Sequence, residues 1–224
     1  RCEMAEFSVI SPAMFNLYKD CDLKFYYKYV EQVSTPVLDE NFLEGKNIHT
    51  LAAYYLKKFP VEKYIKKLSE RELKYWNNLK STKYFDYEIV AIEHSLTMKV
   101  ENHWIGGRID AVVKNKNDYY ILDYKTGGVN SDKTYDFQTM VYLLLCDELY
   151  KDYRDKGTLT FVYLDLKNNK EVKIKFDEKL KEEYLERIKM ACAGMEKVTK
   201  DGLKNSVCTD MNCPYSKLCI VSRY

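Results

Sequence analysis

Residues 105–128 read IGGRIDAVVKNKNDYYILDYKTGG, two runs in which apolar and polar side chains alternate on either side of Asn115-Lys116-Asn117-Asp118. Alternation with a period of two residues predicts paired strands, and the polar break between them predicts a tight turn. With the turn at 115–118, Lys114 pairs with Tyr119, and this pair sets the register of both strands. The segment therefore predicts an antiparallel β-hairpin.

The predicted register brings two acidic residues together. Counting outward from the turn places Asp110 opposite Asp123, with Cβ atoms about 5 Å apart. Lys125, two residues further along, shares their face. Like charges directly opposed in a sheet are destabilising, and a divalent cation held by carboxylate oxygens removes that repulsion. The three residues therefore predict Mg²⁺ or Mn²⁺ chemistry beside a lysine.

An ordinary half-exposed hairpin explains the same alternation. In that interpretation Asp110, Asp123 and Lys125 belong to a solvated face, because exposed faces often mix acids with lysines. The other face would pack on the core through apolar and aromatic residues, which are Ile109, Ala111, Val113, Tyr120, Leu122 and Tyr124. The hairpin alone leaves both interpretations open.

Length and charge limit the classes of protein that need to be considered. The 224 residues suffice for one sizeable domain and are too few for two ordinary ones. The net charge is only +2, so any contact with nucleic acid must come from local lysine clusters. No apolar run approaches the ~20 residues of a membrane span, and no signal-peptide pattern opens the chain. We therefore expect a cytoplasmic protein with no membrane partner.

The pattern of elements predicts a β-rich middle flanked by helices, which is the α/β (α+β) class, in a single domain over residues 1–224. Residues 8–80 predict three helices, the first from Ser8 to Val33 with Ser11 as N-cap and the third from Val61 to Leu79. Residues 87–200 predict the strands and later helices of the core. Residues 207–224 form a short, irregular tail that is rich in cysteine.

The cysteines give a second signal, because three of them fall within the tail: Cys208, Cys213 and Cys219. Four thiolates are the usual complement of a cubane iron–sulfur cluster or a structural zinc, so three in one loop need a fourth from elsewhere. Cys21, in the first predicted helix, is the best candidate. The alternative is that these are unrelated packing thiols, as we expect for Cys146 and Cys192 on apolar helix faces.

Several motifs follow one another along the chain: Cys-Asp-Leu-Lys-Phe-Tyr-Tyr-Lys-Tyr at 21–29, Gly45-x-x-x-His49, Gly107-Arg-Ile-Asp110, Asp123-Tyr-Lys125-Thr-Gly, Gln138-x-x-x-Tyr142 and the cysteine triplet. Each is weak alone, but their order resembles the RecB-type branch of the PD-(D/E)XK nucleases. The pattern is most similar to the cluster-bearing members, which are the AddB nuclease domain and the small CRISPR-associated exonucleases. The resemblance implies a restriction-endonuclease-like core with a mixed central sheet flanked by helices.

The resemblance also implies the metal site. Mg²⁺ or Mn²⁺ would be held by His49, Asp110, Asp123 and the main-chain carbonyl of Tyr124. Lys125 would orient the attacking water or help to deprotonate it. Stabilisation of the charge that develops on the phosphoryl oxygens is the physical requirement that such a site meets.

Four further residues have supporting roles in this picture. Glu93, on the preceding strand, would hold a metal-bound water or a second ion. Gln138 and Tyr142, four residues apart on one helix face, would contact the DNA backbone or brace the lysine, and Arg108 would contact phosphate.

By the same resemblance, Cys21, Cys208, Cys213 and Cys219 would hold a [4Fe-4S] cluster that joins the tail to the N-terminal helix, with Zn²⁺ as the alternative occupant. Such a ligand set forms only on folding, so metal binding would stabilise the fold.

The expected function is a metal-dependent DNA exonuclease acting on DNA ends or single strands, with a helicase, recombination or CRISPR-adaptation partner. The main alternative is a non-catalytic DNA-binding or assembly subunit that keeps the fold and the cluster, and a third is a zinc-stabilised binding protein. Intact Asp110, Asp123 and Lys125 favour an enzyme, because a degenerate copy would be free to lose them.

Overall fold

A computed structural model describes residues 7–35, 40–198 and 213–219, with the backbone alone described at 40–43. Its centre is a five-stranded sheet in the order β1 to β5, whose strands are β1 (Glu88–Val100), β2 (His103–Asn115), β3 (Asp118–Lys125), β4 (Leu159–Asp165) and β5 (Lys170–Lys175). Neighbouring strands are antiparallel except β3 and β4, which are parallel. The sheet is therefore mixed, as the family resemblance implied.

Helices cover both faces of this sheet. They are α1 (Pro12–Asp20), α2 (Asp22–Phe25), α3 (Glu40–Leu56), α4 (Glu62–Ile65), α5 (Glu70–Lys80), α6 (Phe137–Leu149), α7 (Tyr153–Lys156) and α8 (Glu178–Glu196), with a π-helical turn at Tyr26–Val30 and a 3₁₀ turn at Lys83–Asp86. The helix α6 lies in the connection between the parallel strands β3 and β4, which need such a crossover. Helices on both faces account for the α/β class.

Two of the predicted helices are interrupted, so their expected continuity was wrong. Ser11 caps α1 as predicted, but Cys21 is extended, with φ −162° and ψ 110°, and it separates α1 from α2 instead of lying inside a helix. The predicted helix from Val61 to Leu79 splits into α4 and α5. Ser69 starts α5 through a reciprocal capping box with Glu72, and this local hydrogen bonding competes with helix continuation.

The hairpin has the predicted register, since Lys114 pairs with Tyr119. Both of its faces are buried, however, so the half-exposed interpretation was wrong. Val112 and Ile121 pack in a first core, which contains α1, α6 and α8 side chains such as Phe15, Leu143 and Ile188. The other face packs in a second core, which contains α3 and α5 side chains such as Leu51 and Trp76. A strand pair between two helical layers needs apolar residues on both sides.

The described part of the tail contacts the N-terminal helical segment. The Tyr215 ring stacks on Tyr27, with centroids 5.6 Å apart, and the Tyr27 hydroxyl donates to the Leu218 carbonyl. Among the described residues, no helix combines the length and the apolar character that a membrane span requires.

Candidate active site

The polar site lies where the hairpin strands separate. The last paired residues of β2 and β3 are Ala111 and Leu122, and β3 then continues beside β4. Asp110 and Asp123 are the next residues outward on each strand, where the register predicted a cross-strand pair, but the ladder ends before them and this pair is not formed. Their carboxylates bond to other groups instead.

The strand β1 is irregular at the same level. Its pairs with β2 on either side, Ile92 with Ala111 and His94 with Ile109, leave Glu93 across from Asp110 without a regular pair. Glu93 has a positive φ of 47°, a conformation that costs on the order of 1–3 kcal/mol in a non-glycine residue. Strain of this kind is concentrated at functional sites, which makes this position informative.

The alternation of side chains between the two faces of β2 is interrupted at Asp110. Ile109 packs in the first core whereas Ala111, two residues later, packs in the second, although residues two apart normally share a face. Asp110 is thereby directed towards β3: its Oδ2 accepts a hydrogen bond from the Tyr124 amide at 3.0 Å. A carboxylate that bonds to the neighbouring strand's backbone has a fixed position.

His49, on α3, contacts both the Asp110 side chain and the backbone of Tyr124. Its Nδ1 lies 2.9 Å from Asp110 Oδ1, and its Nε2 lies 2.9 Å from the Tyr124 carbonyl oxygen. Both partners are acceptors, so the arrangement favours the doubly protonated imidazolium. Burial lowers the pKa of His49, but the hydrogen bond and charge of Asp110, together with the charge of Asp123, outweigh burial and raise it above its ordinary value.

Asp123 belongs to a second group, which includes α6. Gln138 Nε2 donates to Asp123 Oδ1 at 2.6 Å, while Lys125 Nζ donates to Gln138 Oε1 at 2.8 Å. The Asp123 carboxylate is only 3% exposed. Desolvation by burial raises the pKa of Asp123, and the negative charge of Asp110 acts in the same direction. The positive charges of Lys125 and His49 oppose this rise, and the pKa is about 6.

One oxygen of this buried carboxylate has no fixed hydrogen bond. Asp123 Oδ2 lies 2.9 Å from Lys125 Nζ as an ion pair, yet it accepts no aligned hydrogen bond from any described residue. An unsatisfied buried carboxylate oxygen is costly unless a cation meets it. In the structure the cation that meets this oxygen is the Lys125 ammonium.

The available donors suit a hard divalent cation. Two carboxylates, a main-chain carbonyl and one imidazole match the preferences of Mg²⁺ and Mn²⁺. Within the described residues no three His, Cys, Asp or Glu side chains converge as a formed metal site. His49 instead hydrogen-bonds to two of the other donors. Coordination by His49 would require its imidazole to give up a proton and exchange one of these bonds.

The structure separates the two roles considered for the α6 pair. Gln138 braces both Lys125 and Asp123 directly. Tyr142 is only 7% exposed and its hydroxyl donates to the Arg108 carbonyl at 2.9 Å, so it supports the strand. The Tyr142 ring also explains Gly107, where a Cβ atom would lie 2.6 Å from ring atom Cε1.

Cationic side chains border the site. The exposed Arg108 places Nη2 3.6 Å from Glu93 Oε1, and Lys57, at the end of α3, places Nζ 3.6 Å from Glu93 Oε2. Glu93 thus stands between two cations. Sequence reasoning missed Lys57, because nothing in its local pattern distinguishes it from the chain's other surface lysines.

Sequence reasoning also missed Tyr163 on β4. The parallel pairing of β3 and β4 places Tyr163 beside Asp123, and the Lys125 ammonium lies over its ring, 5.6 Å from the centroid. In the sequence, nothing distinguishes Tyr163 from an ordinary residue of a buried strand. Its position follows from the crossover connection and has no local signal.

The described cysteines fall into two groups. Cys21 and Cys219 are half-buried and Cys213 is buried, all packed on the first core, while Cys208 lies outside the described residues. Cys146 and Cys192 are fully buried on helices, and burial raises the pKa of Cys192 to about 12. The interpretation of these last two as inert packing thiols is confirmed.

Comparisons with known proteins agree with this architecture. The family model of the PD-(D/E)XK nuclease superfamily matches residues 9–220. The "Uncharacterized protein UU146" of Ureaplasma parvum serovar 3 is 31% identical over 124 residues, which cover 53% of this chain and 58% of that protein. The chain thus matches little more than half the length of this relative.

A similar fold occurs in the crystal structure of a "Putative exonuclease" from Eubacterium rectale. The TM-score is 0.60 at 11% sequence identity, over 88% of this chain and 83% of the other. At this identity the likeness concerns the fold alone.

Proposed function

This chain belongs to the PD-(D/E)XK nuclease superfamily, and on that premise we propose that it is a metal-dependent deoxyribonuclease of the RecB and AddB type. Its substrates would be phosphodiester bonds at DNA ends or in single strands. The observation that carries the proposal is the juxtaposition of Asp110, His49 and the Tyr124 peptide with a buried Asp123 whose Oδ2 lacks an aligned hydrogen bond.

Asp110, Asp123, the Tyr124 carbonyl and His49 are the residues that would hold Mg²⁺ or Mn²⁺. Such an ion lowers the pKa of bound water and stabilises charge on phosphoryl oxygens. Each of these residues is held by the fold, since Asp110 is fixed by the Tyr124 amide and Asp123 by Gln138. A preorganised donor set needs little rearrangement when charge develops in the transition state.

Lys125 would act on the attacking water. Its ammonium is held between Asp123 Oδ2 and Gln138 Oε1, at 2.9 and 2.8 Å. A cation fixed there orients a water molecule and stabilises negative charge on the phosphate. Gln138 has a positioning role in this proposal, because it contacts the lysine and the acid together.

Arg108 and Lys57 would contact phosphates next to the cleaved bond. Both are partly or largely exposed and both lie beside Glu93 at the border of the site. Glu93 would hold a metal-bound water or a second ion, as its place across from Asp110 allows. Phosphate contacts position a substrate without reading its sequence.

The cysteine tail would hold a [4Fe-4S] cluster with Cys21, Cys208, Cys213 and Cys219 as ligands, with Zn²⁺ as the alternative. The contacts of Tyr215 and Leu218 with Tyr27 support a tail that docks on the N-terminal segment. The cluster would stabilise that docking. Its iron and acid-labile sulfide, measured in anaerobically purified protein, separate it from zinc.

End-labelled single- and double-stranded DNA, incubated with Mg²⁺, Mn²⁺ or EDTA, tests the nuclease activity. We expect a ladder of shortened products with either metal, none with EDTA, and none from Asp110→Ala protein prepared in parallel. Equal digestion by wild type and Asp110→Ala would exclude the proposed centre. Metal-independent DNA binding without any cleavage would instead favour the non-catalytic subunit, acting with a helicase, recombination or CRISPR-adaptation partner.

A further inference from the structure

Lys125 needs more than its two polar partners to hold one position. A lysine ammonium is a compact charge on a flexible four-carbon stem, and this side chain is 34% exposed. Asp123 and Gln138 contact the ammonium from the side of β3 and α6. A third contact comes from β4, where the face of the Tyr163 ring lies 5.6 Å from Lys125 Nζ.

The Tyr163 ring is itself immobilised. Tyr163 is 1% exposed, and its ring packs against Phe161 with centroids 4.6 Å apart. Its hydroxyl lies 2.7 Å from Thr139 Oγ1, which donates its own proton to the Lys133 carbonyl. The tyrosine must therefore be the donor to Thr139, which fixes the rotation of the hydroxyl. Burial raises the pKa of Tyr163, so the ring stays neutral.

We propose that Tyr163 is a positioning residue for the reaction: its ring face fixes the Lys125 ammonium beside Asp123 through a cation–π contact. The strand register places it there, because Asp123 and Tyr163 are partners in the parallel pairing of β3 and β4. A cation over an aromatic face is attracted to it most strongly when the pair is shielded from water. Lys125 is thus held on three sides: by Asp123, by Gln138 and by the Tyr163 ring.

This inference rests on the proposed nuclease function, and the first test uses cleavage. Tyr163→Leu removes the ring, while Tyr163→Phe keeps the ring and removes the hydroxyl. The matched control is Phe176→Leu, which removes a buried ring of the same core whose aromatic partner is Tyr184 of α8. Initial rates of end-labelled DNA cleavage with Mg²⁺ give kcat and KM, and thermal melts give the folded fraction.

We expect Tyr163→Leu to lower kcat about tenfold with little change in KM, because loss of the contact misplaces the lysine without removing DNA contacts. Tyr163→Phe should retain most of the wild-type kcat. Phe176→Leu should lower the melting temperature but leave kcat near the wild-type value. A Tyr163→Leu protein with wild-type kcat, or an equal loss of kcat in Phe176→Leu, would overturn the proposal.

A second test does not depend on cleavage. The equilibrium constant for unfolding in EDTA is measured for wild type, Lys125→Met, Tyr163→Leu and the double variant. If the ammonium and the ring interact, this double-mutant cycle should show a coupling of about two- to thirtyfold in the equilibrium constant for unfolding. Coupling without nuclease activity in the wild type would contradict the proposed function alone, whereas additive effects would contradict the positioning role. Should leucine prevent folding, Tyr163→Ile, which suits a buried strand, takes its place in both tests.

Discussion

His49 Nδ1 and Asp110 Oδ1 lie 2.9 Å apart although 61 residues separate them in the chain. The same imidazole reaches the Tyr124 carbonyl, and Asp110 accepts from the Tyr124 amide. One helix and two strands are therefore joined through the backbone of a single residue, Tyr124. These contacts fix the donors of the proposed metal site before any cation arrives.

The pH dependence of stability should reveal this contact. The pKa of His49 is raised in the folded protein, so its stabilising effect is fully present below the ordinary value of 6.5 and is lost as pH rises through the folded pKa. In EDTA, His49→Gln should therefore be destabilising at pH 6 and much less so at pH 9. Denaturant unfolding across this range measures the difference. If the difference in the free energy of unfolding between wild type and His49→Gln grew as the pH rose, the proposed contact of a charged His49 with Asp110 would be contradicted.

Asp123→Asn should make the protein more stable and inactive. The folded-state pKa of Asp123 is raised to about 6, so its contribution to stability is present below about 4 and is lost as pH rises to 6. Asparagine keeps an oxygen for Gln138 without the buried charge. In EDTA at pH 8 we expect a gain on the order of 1–3 kcal/mol in the free energy of unfolding. At pH 3.5 the two proteins should differ little. A loss of stability at pH 8 would mean that the Lys125 ion pair outweighs desolvation.

Gly107→Ala should destabilise the fold through a steric contact with Tyr142. The added Cβ would lie 2.6 Å from ring atom Cε1, so the ring or the strand must move, at a cost of about 1–3 kcal/mol. Gly127→Ala is the matched control, because a Cβ there would meet no atom of the described residues within 4 Å beyond its own chain neighbours. Melting temperatures of both variants and of Gly107→Ala/Tyr142→Leu test this explanation. The double variant should recover part of the loss.

Gln138→Met should lower the rate of cleavage more than it lowers stability. The amide joins Asp123 and Lys125, and methionine fills similar space without either hydrogen bond. Loss of hydrogen bonds to charged groups costs about 1.5–3 kcal/mol, which corresponds to roughly 10- to 150-fold in kcat if the interaction is needed in the transition state. Single-turnover cleavage with Mg²⁺ measures the loss in the rate of cleavage. Gln138→Glu is a useful companion, since it restores an acceptor for Lys125 but places a like charge beside Asp123.

The cysteine assignment gives a compositional prediction. Cys219→Ala should purify with little iron and sulfide and with reduced stability, whereas Cys192→Ala, which alters a fully buried thiol of α8, should retain the wild-type content. Metal analysis of anaerobically purified protein decides between these results. Full iron and sulfide in Cys219→Ala would remove Cys219 from the ligand set. Zinc at one equivalent without sulfide would identify the alternative occupant.

Short-range features of this fold could be predicted because local chemistry determines them. The turn at 115–118 fixes the register of its hairpin, and a register of period two fixes which residues are neighbours across the strands. Ser11 caps α1, as predicted, because its side chain satisfies a nearby backbone amide. Predicted continuity failed at Cys21 and Ser69, where side chains bond to backbone amides three residues ahead and start new helices.

The sequence by itself therefore determined the hairpin, its register and the placement of Asp110 and Asp123 at equal distances from the turn, since these depend on neighbours along one or two strands. Burial of both hairpin faces, the interrupted alternation of β2 at Asp110 and the approach of His49, Gln138 and Tyr163 were decided by the tertiary structure. Those contacts join residues on separate elements, whose approach depends on the packing of two helical layers and on a parallel crossover. No local periodicity encodes such distances, because they are set only when the whole core closes.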